Sequence, residues 1–124
     1  MNDTRRHINI AEENLKGALD ELKNKRFTNV GLLSLRALEQ MIEACASKKA
    51  LHFHEHPRTA HKNRRNWLKT HHPDLLDAWD QLWGIYGALG YGGLNGERAK
   101  QALVILKECL TELSRREKFA ITSL

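Results

Sequence analysis

Residues 30–45 read Val30-Gly31-Leu32-Leu33-Ser34-Leu35-Arg36-Ala37-Leu38-Glu39-Gln40-Met41-Ile42-Glu43-Ala44-Cys45, and their spacing decides the fold class. Val30, Leu33, Ala37, Met41 and Ala44 recur at three- and four-residue steps, the period of one face of an α-helix. Leu35, Leu38, Ile42 and Cys45 widen that stripe, so this segment is expected to be the most buried helix of the chain. The helix is predicted over residues 29–49. Thr28 stands as its N-cap, and Phe27 and Leu32 hold the positions of a hydrophobic staple.

The same period extends on both sides. Ile8, Ala11, Leu15, Leu19 and Leu22 predict a first helix over residues 4–25, with Glu12, Glu13, Lys16, Asp20 and Lys23 on its other face. Pro57 breaks the connection over residues 51–58, and a short helix is expected from Thr59, as N-cap, to Thr70. Pro73 opens a third long helix, with Asp74 and Asp77 in its first turns and Leu76, Trp79, Trp83, Tyr86 and Leu89 at helical spacing. Gly90, Gly92, Gly93 and Gly96 mark a loop. Asn95 then caps a last helix to Glu117, with Ala99, Ala102, Leu103, Leu106, Leu110 and Leu113 as its core stripe. No β-alternation and no internal repeat is visible. Four long amphipathic helices with mostly short connections predict an all-α protein. The expected architecture is an up-and-down antiparallel four-helix bundle with a short extra helix between helices 2 and 3. Residues 1–124 are expected to form one domain.

Composition narrows the class. Apolar residues make up 41% and charged residues 28% of the 124, the balance of a soluble globule. No apolar run approaches the ~20 residues that span a bilayer, and residues 1–6 do not resemble a signal peptide, so a cytoplasmic protein is expected. Cys45 and Cys109 fall within apolar helical patterns and are expected to be reduced and buried. The net charge of +5 is concentrated. Residues 48–72 hold Lys48, Lys49, Arg58, Lys62, Arg64, Arg65 and Lys69 against Glu55 alone, and six of the seven histidines lie there too. A localised positive patch attracts polyanions better than the same charge spread evenly.

Three stretches resemble the HEPN family of nucleotide-binding helical domains. They are the Ala11-Glu12-Glu13-Asn14-Leu15-Lys16-Gly17-Ala18 run, the Ser34-Leu35-Arg36-Ala37-Leu38-Glu39-Gln40-Met41-Ile42-Glu43 run, and the His56-Pro57-Arg58-Thr59-Ala60-His61 turn. With a Gly- and Tyr-bearing turn before the final helix, the likeness covers roughly residues 8–115. The resemblance implies an antiparallel helical bundle, a homodimer, and RNA or nucleotide as ligand. It also implies a role in toxin–antitoxin systems or beside a small nucleotidyltransferase partner. Many members are metal-independent ribonucleases with an Arg-x(4–6)-His motif just before the last helix. Here that stretch reads Tyr86-Gly87-Ala88-Leu89-Gly90-Tyr91-Gly92-Gly93, without arginine or histidine, which points to the binding-type members.

Three constellations carry chemistry. Arg65 and His71 match the Arg-x(5)-His form one helix early, where a histidine would take the ribose 2′-OH proton and an arginine would stabilise the phosphorane. The competing reading is a solvated basic helix. His52, His54 and His56 alternate, so on an extended segment they would face one way as metal ligands, with His61 able to join. No accompanying cysteine or HExxH pattern supports a resident metal, so no cofactor is expected, and an exposed polar loop is the plainer alternative. The basic set is the strongest. On a helix Arg58, Lys62, Arg65 and Lys69 share one side, Arg64 adds charge, and Trp67 and His61 offer surfaces on which bases stack. A solubilising patch is its bland counterpart. Trp79, Trp83 and Tyr86 are expected in the core, and the Gly84, Gly87, Gly90 spacing suggests close approach of another helix or a ligand. The sequence therefore favours a nucleotide- or RNA-binding module over a ribonuclease or a non-enzymatic dimeric interaction protein.

Overall fold

The computed structural model describes residues 3–121, and it is all-helical: among these residues no strand occurs. The helices are α1 (Asp3–Lys23), α2 (Phe27–Ser47), α3 (Ala60–His71), α4 (Leu76–Ala88) and α5 (Asn95–Glu117). Single 3-10 turns, Phe53–Glu55 and Pro73–Leu75, precede α3 and α4. Residues 1, 2 and 122–124 lie outside the described residues; after α5, Phe119 and Ile121 pack on the core.

α2 is the centre, as its widened stripe implies. Its buried residues include every position over 41–46, so it is enclosed all round for more than a turn. α1 lies antiparallel along it. Thr4 meets Ser47, His7 meets Gln40, the Leu33 side chain reaches Gly17, and Asn29 meets Glu21. α5 packs on α2 with Gly96 against the Phe27 ring and Glu117 against Lys48. α4 reaches α2 through Leu89 and Tyr86, which close over Gly31; a Cβ there would stand 2.5 Å from Leu89 Cδ1. The core joins Leu15, Leu38, Met41, Ile42, Leu68, Trp79, Leu82, Leu106, Leu110 and Leu113.

Helix ends differ from the expected caps for local reasons. α2 begins at Phe27, not after Thr28. Lys25 takes a left-handed conformation at φ 60, and Glu21 accepts hydrogen bonds from Arg26 Nε at 2.7 Å and Asn29 Nδ2 at 3.0 Å. The α1–α2 turn is thus held by Glu21, and Thr28 provides no cap. Thr59 does precede α3, yet its hydroxyl makes no cap hydrogen bond. Asn95 is the first residue of α5, and its Oδ1 accepts from Gly90 N at 3.3 Å and Arg98 Nη1 at 3.1 Å. Arg98 also donates to the carbonyls of Ala88 and Gly92, which ties down a loop whose Gly90, Gly92 and Gly93 all have positive φ.

The opposite end is held by charge. Arg116 grips Asp74 with both terminal nitrogens at 2.9 and 2.6 Å, and His72 Nε2 donates to Glu117 Oε2 at 2.8 Å. The Arg116 hydrogen bonds hold the Asp74 carboxyl down at about 2. Cys45 and Cys109 are free and buried; burial pushes both thiols up, Cys109 to about 12.

Gly84 and Gly87 do not serve a close approach within the chain, since a Cβ at either would meet nothing within 4 Å. Gly90, the third glycine of that spacing, does approach α2, a Cβ there standing 3.1 Å from Thr28 Cγ2, and the tightest approach is at Gly31. Replacing Gly84 by Ala is expected to stabilise the protein by about 0.5–1 kcal/mol, the helix propensity difference. Gly31→Leu is expected to cost about 1–3 kcal/mol by overpacking against α4. Urea denaturation of the two variants checks both signs. NMR titration should find Asp74 near 2 in the native chain and close to the ordinary ~4 in Arg116→Ala.

Candidate functional site

α3 forms because Ala60, Trp67 and Leu68 supply one buried stripe on an otherwise polar segment. That stripe orients every charged residue around it. At about 100° per residue, Arg64 falls on the inward side, whereas His61, Arg65, Lys69 and Lys62 span an outward arc of about 100°.

The basic set is therefore split. Arg64 is inward and occupied: its Nε donates to Glu43 Oε2 at 2.7 Å and its Nη1 lies 3.3 Å from Glu39 Oε2. Burial raises the Glu39 carboxyl, against the pull of Arg64. Arg65 is clamped by Asp80 of α4 at 3.0 and 2.8 Å through Nε and Nη2; this hydrogen bonding holds the Asp80 carboxyl below its usual range. Lys62 and Lys69 are exposed on α3, Arg58 is exposed in the turn before it, and none of the three has an ion-pair partner among the described residues. Lys48 leaves the patch to pair with Glu117 at 2.5 Å, its Nζ 4.9 Å from the centre of the Phe119 ring.

The aromatic residues exchange the roles expected of them. Trp67 is buried, with His71 4.7 Å and His72 5.6 Å from its ring centre, so it is not a free stacking surface. His61 instead stands edge-on to Trp83 at 4.5 Å and 5.4 Å from Trp79. Trp79 is in the core, Trp83 is half-buried and Tyr86 is exposed. His61, Arg65, Trp79, Asp80 and Trp83 line an open cleft of about 240 Å³ between α3 and α4. The Trp83 Nε1 is buried without a hydrogen-bond partner among the described residues. The cleft thus offers aromatic surface from His61 and Trp83 and an acceptor in Asp80.

Arg65 and His71 do not converge. They stand about 120° apart around α3 and about 9 Å apart along it. Arg65 faces α4, while His71 lies along Trp67.

The loop histidines are not on an extended strand, because Phe53–Glu55 is a 3-10 turn. The alternation of His52, His54 and His56 therefore does not set the three on one face. His52 and His54 remain neighbours at 5.9 Å, and His56 is exposed. His54 turns inward toward His7 of α1, with ring centres 5.0 Å apart. His7 Nε2, Glu43 Oε1 and His54 Nε2 are all buried without hydrogen-bond partners among the described residues. One ligating atom from each of these residues lies within 4.8 Å of the others. His7 is the histidine outside the basic segment, and Glu43 lies in the helix expected to be the most buried. Neither carries a motif, and their meeting depends on the α1–α2 register.

No family model matches this chain, and neither a curated protein nor a solved structure matches it.

Proposed function

We propose that the α3–α4 face binds a nucleotide or single-stranded RNA. One observation carries this reading: α3, which with α4 forms the aromatic cleft of His61 and Trp83, also carries exposed Lys62 and Lys69 and follows exposed Arg58, none with an ion-pair partner among the described residues. Bases stack on aromatic planes with little sequence preference, while lysine and arginine follow the phosphates. Asp80 suits a base amino group or a ribose hydroxyl as acceptor. Arg65 Nη1, unlike its other nitrogens, has no hydrogen-bond partner among the described residues and is left to donate to phosphate. A binding module is favoured over a ribonuclease because Arg65 and His71 diverge on α3. We read the four long helices as an up-and-down bundle. The pairing of Asp74 with Arg116 at one end of α4 and of Ala88 with Arg98 at the other supports it.

A second reading, a homodimer, has its own support. Gln81, Gly84, Ile85, Ala88, Arg98 and Gln101 line an open groove of about 360 Å³ between α4 and α5, and Gly84 and Gly87 leave that surface low enough for another helix. A dimer by light scattering that becomes a monomer in Gly84→Arg would favour it.

Fluorescence anisotropy with a labelled mixed-sequence RNA tests the binding reading. Lys62→Glu with Lys69→Glu is expected to weaken binding more than tenfold and to make the salt slope shallower by about 0.7 per lost phosphate contact. His61→Ala is expected to cost about 1–3 kcal/mol of affinity through lost stacking. Binding unchanged in all of these variants would place the ligand elsewhere. Cleavage of the RNA that disappears in His71→Ala would replace the binding reading with a nuclease.

A further inference from the structure

We propose that His7, Glu43 and His54 bind a borderline divalent transition metal such as zinc, as a site of two imidazoles and one carboxylate. The proposal stands apart from the α3–α4 cleft and shares none of its lining residues.

The donors come from three elements. His7 lies near the start of α1, Glu43 in the last half of α2, and His54 in the 3-10 turn that crosses between α2 and α3. His7 and Glu43 are 4% and 0% exposed. A buried polar atom without a partner is costly, because it has lost its water and gained nothing in exchange. Here His7 Nε2, Glu43 Oε1 and His54 Nε2 are three such atoms, gathered in one place. A shared ligand satisfies them together.

The outer partners fit a cation. His7 Nδ1 is 2.8 Å from Gln40 Oε1. An amide oxygen can only accept, so Nδ1 carries the hydrogen, which leaves the Nε2 lone pair facing the cluster. Metal-bound histidines are commonly oriented in this way through their second nitrogen. Glu43 is fixed likewise, since Arg64 donates to its Oε2 and leaves Oε1 for the site. Arg64 also serves Glu39, so its guanidinium is shared between two carboxylates and does not fully neutralise Glu43. At the rim, His52 Nδ1 is buried and lies 3.7 Å from Asp3 Oδ2.

The donor chemistry selects the class of ion. Neutral imidazoles with one carboxylate suit zinc, iron(II) or cobalt(II), whereas magnesium and calcium prefer all-oxygen shells. Tetrahedral ligation at about 2.1 Å sets donors about 3.4 Å apart. The present spread of up to 4.8 Å closes to that by rotation of the half-buried His54 on its surface turn. His7 and Glu43, on packed helices, supply the fixed half of the site.

The test is titration of the untagged full chain with zinc(II) and with cobalt(II), by calorimetry and by cobalt d–d absorption, with magnesium as the contrast. One equivalent of zinc is expected to bind and to raise the melting temperature, with no response to magnesium. His54→Ala, on the surface turn, should weaken binding by about a hundredfold. Gln40→Ala should weaken it by about 10–100-fold, as loss of an outer partner does. His56→Ala should bind as the native chain does. Circular dichroism confirms that each variant is folded. Absence of one-to-one zinc or cobalt binding by the native chain would overturn the proposal. So would full binding by folded His54→Ala, or an equal loss in His56→Ala, which would indicate a loose set of loop histidines. RNA binding is measured separately, so failure of either reading leaves the other standing.

Discussion

α2 is enclosed on nearly every side, so the amide and the carboxylate it buries must find partners inside the protein. Gln40 and Glu43 both sit in this helix at 8% exposure or less. A buried carboxylate without compensation costs on the order of 3–5 kcal/mol. Glu43 is compensated by Arg64, and that requirement fixes the rotation of α3 about its axis. Gln40 is compensated by His7, which fixes the register of α1. The apolar stripes bring the helices together, but these two hydrogen-bonded pairs determine which residues face each other. The rest of the polar geometry follows from them, including the meeting of His7, Glu43 and His54.

Much of this was legible in the sequence. The stripe of Val30, Ala37, Met41 and Ala44 identified the most buried helix, and all four residues are fully buried. The last helix was similarly legible from Ala99, Ala102, Leu103, Leu106, Leu110 and Leu113, all of them buried. Periodicity finds such elements because burial acts on every turn of the helix. Boundaries were less legible, because caps depend on tertiary partners. Thr28 has the right chemistry for an N-cap, but Glu21 on the neighbouring helix holds the turn and α2 starts earlier. The glycines of α4 show a related limit. Spacing shows that Gly84 and Gly87 share a face, but which helix face meets a neighbour depends on the three-dimensional packing, and within the chain the tight approach to α4 is at Gly31.

The candidate site shows the same boundary between pattern and packing. Charge counting located the segment over residues 48–72, yet a sum cannot separate solvent-facing charge from internal pairing. Arg64 and Arg65 are adjacent and chemically identical. One neutralises Glu43 in the interior, and the other is held by Asp80 at the rim of a cleft. Aromatic residues behave alike: Trp67 is enclosed by the His71 and His72 rings, whereas Trp83, assigned to the core by its stripe, reaches the surface beside His61. His7 was invisible as a site residue because nothing near it in sequence shares its chemistry. Its partners are 33 to 47 positions away, so only the fold places them together.

α3 is therefore a wall shared by two different environments. Its inward side ends in Arg64, which fixes the Glu43 carboxylate from outside the His7 cluster. Its outward side presents His61 and Arg65 to the cleft and Lys62 and Lys69 to solvent. Residues 64 and 65 differ by about 100° around the helix axis, so a rotation of α3 that loosened one ion pair would strain the other. The Arg64–Glu43 pair is buried and hydrogen-bonded, while the Arg65–Asp80 pair is exposed, where such pairs contribute about 0–1 kcal/mol. The inner pair therefore sets the helix position, and the outer pair adapts to it. That order of strength leaves Asp80 and Arg65 able to exchange partners at the cleft without disturbing the core beneath them.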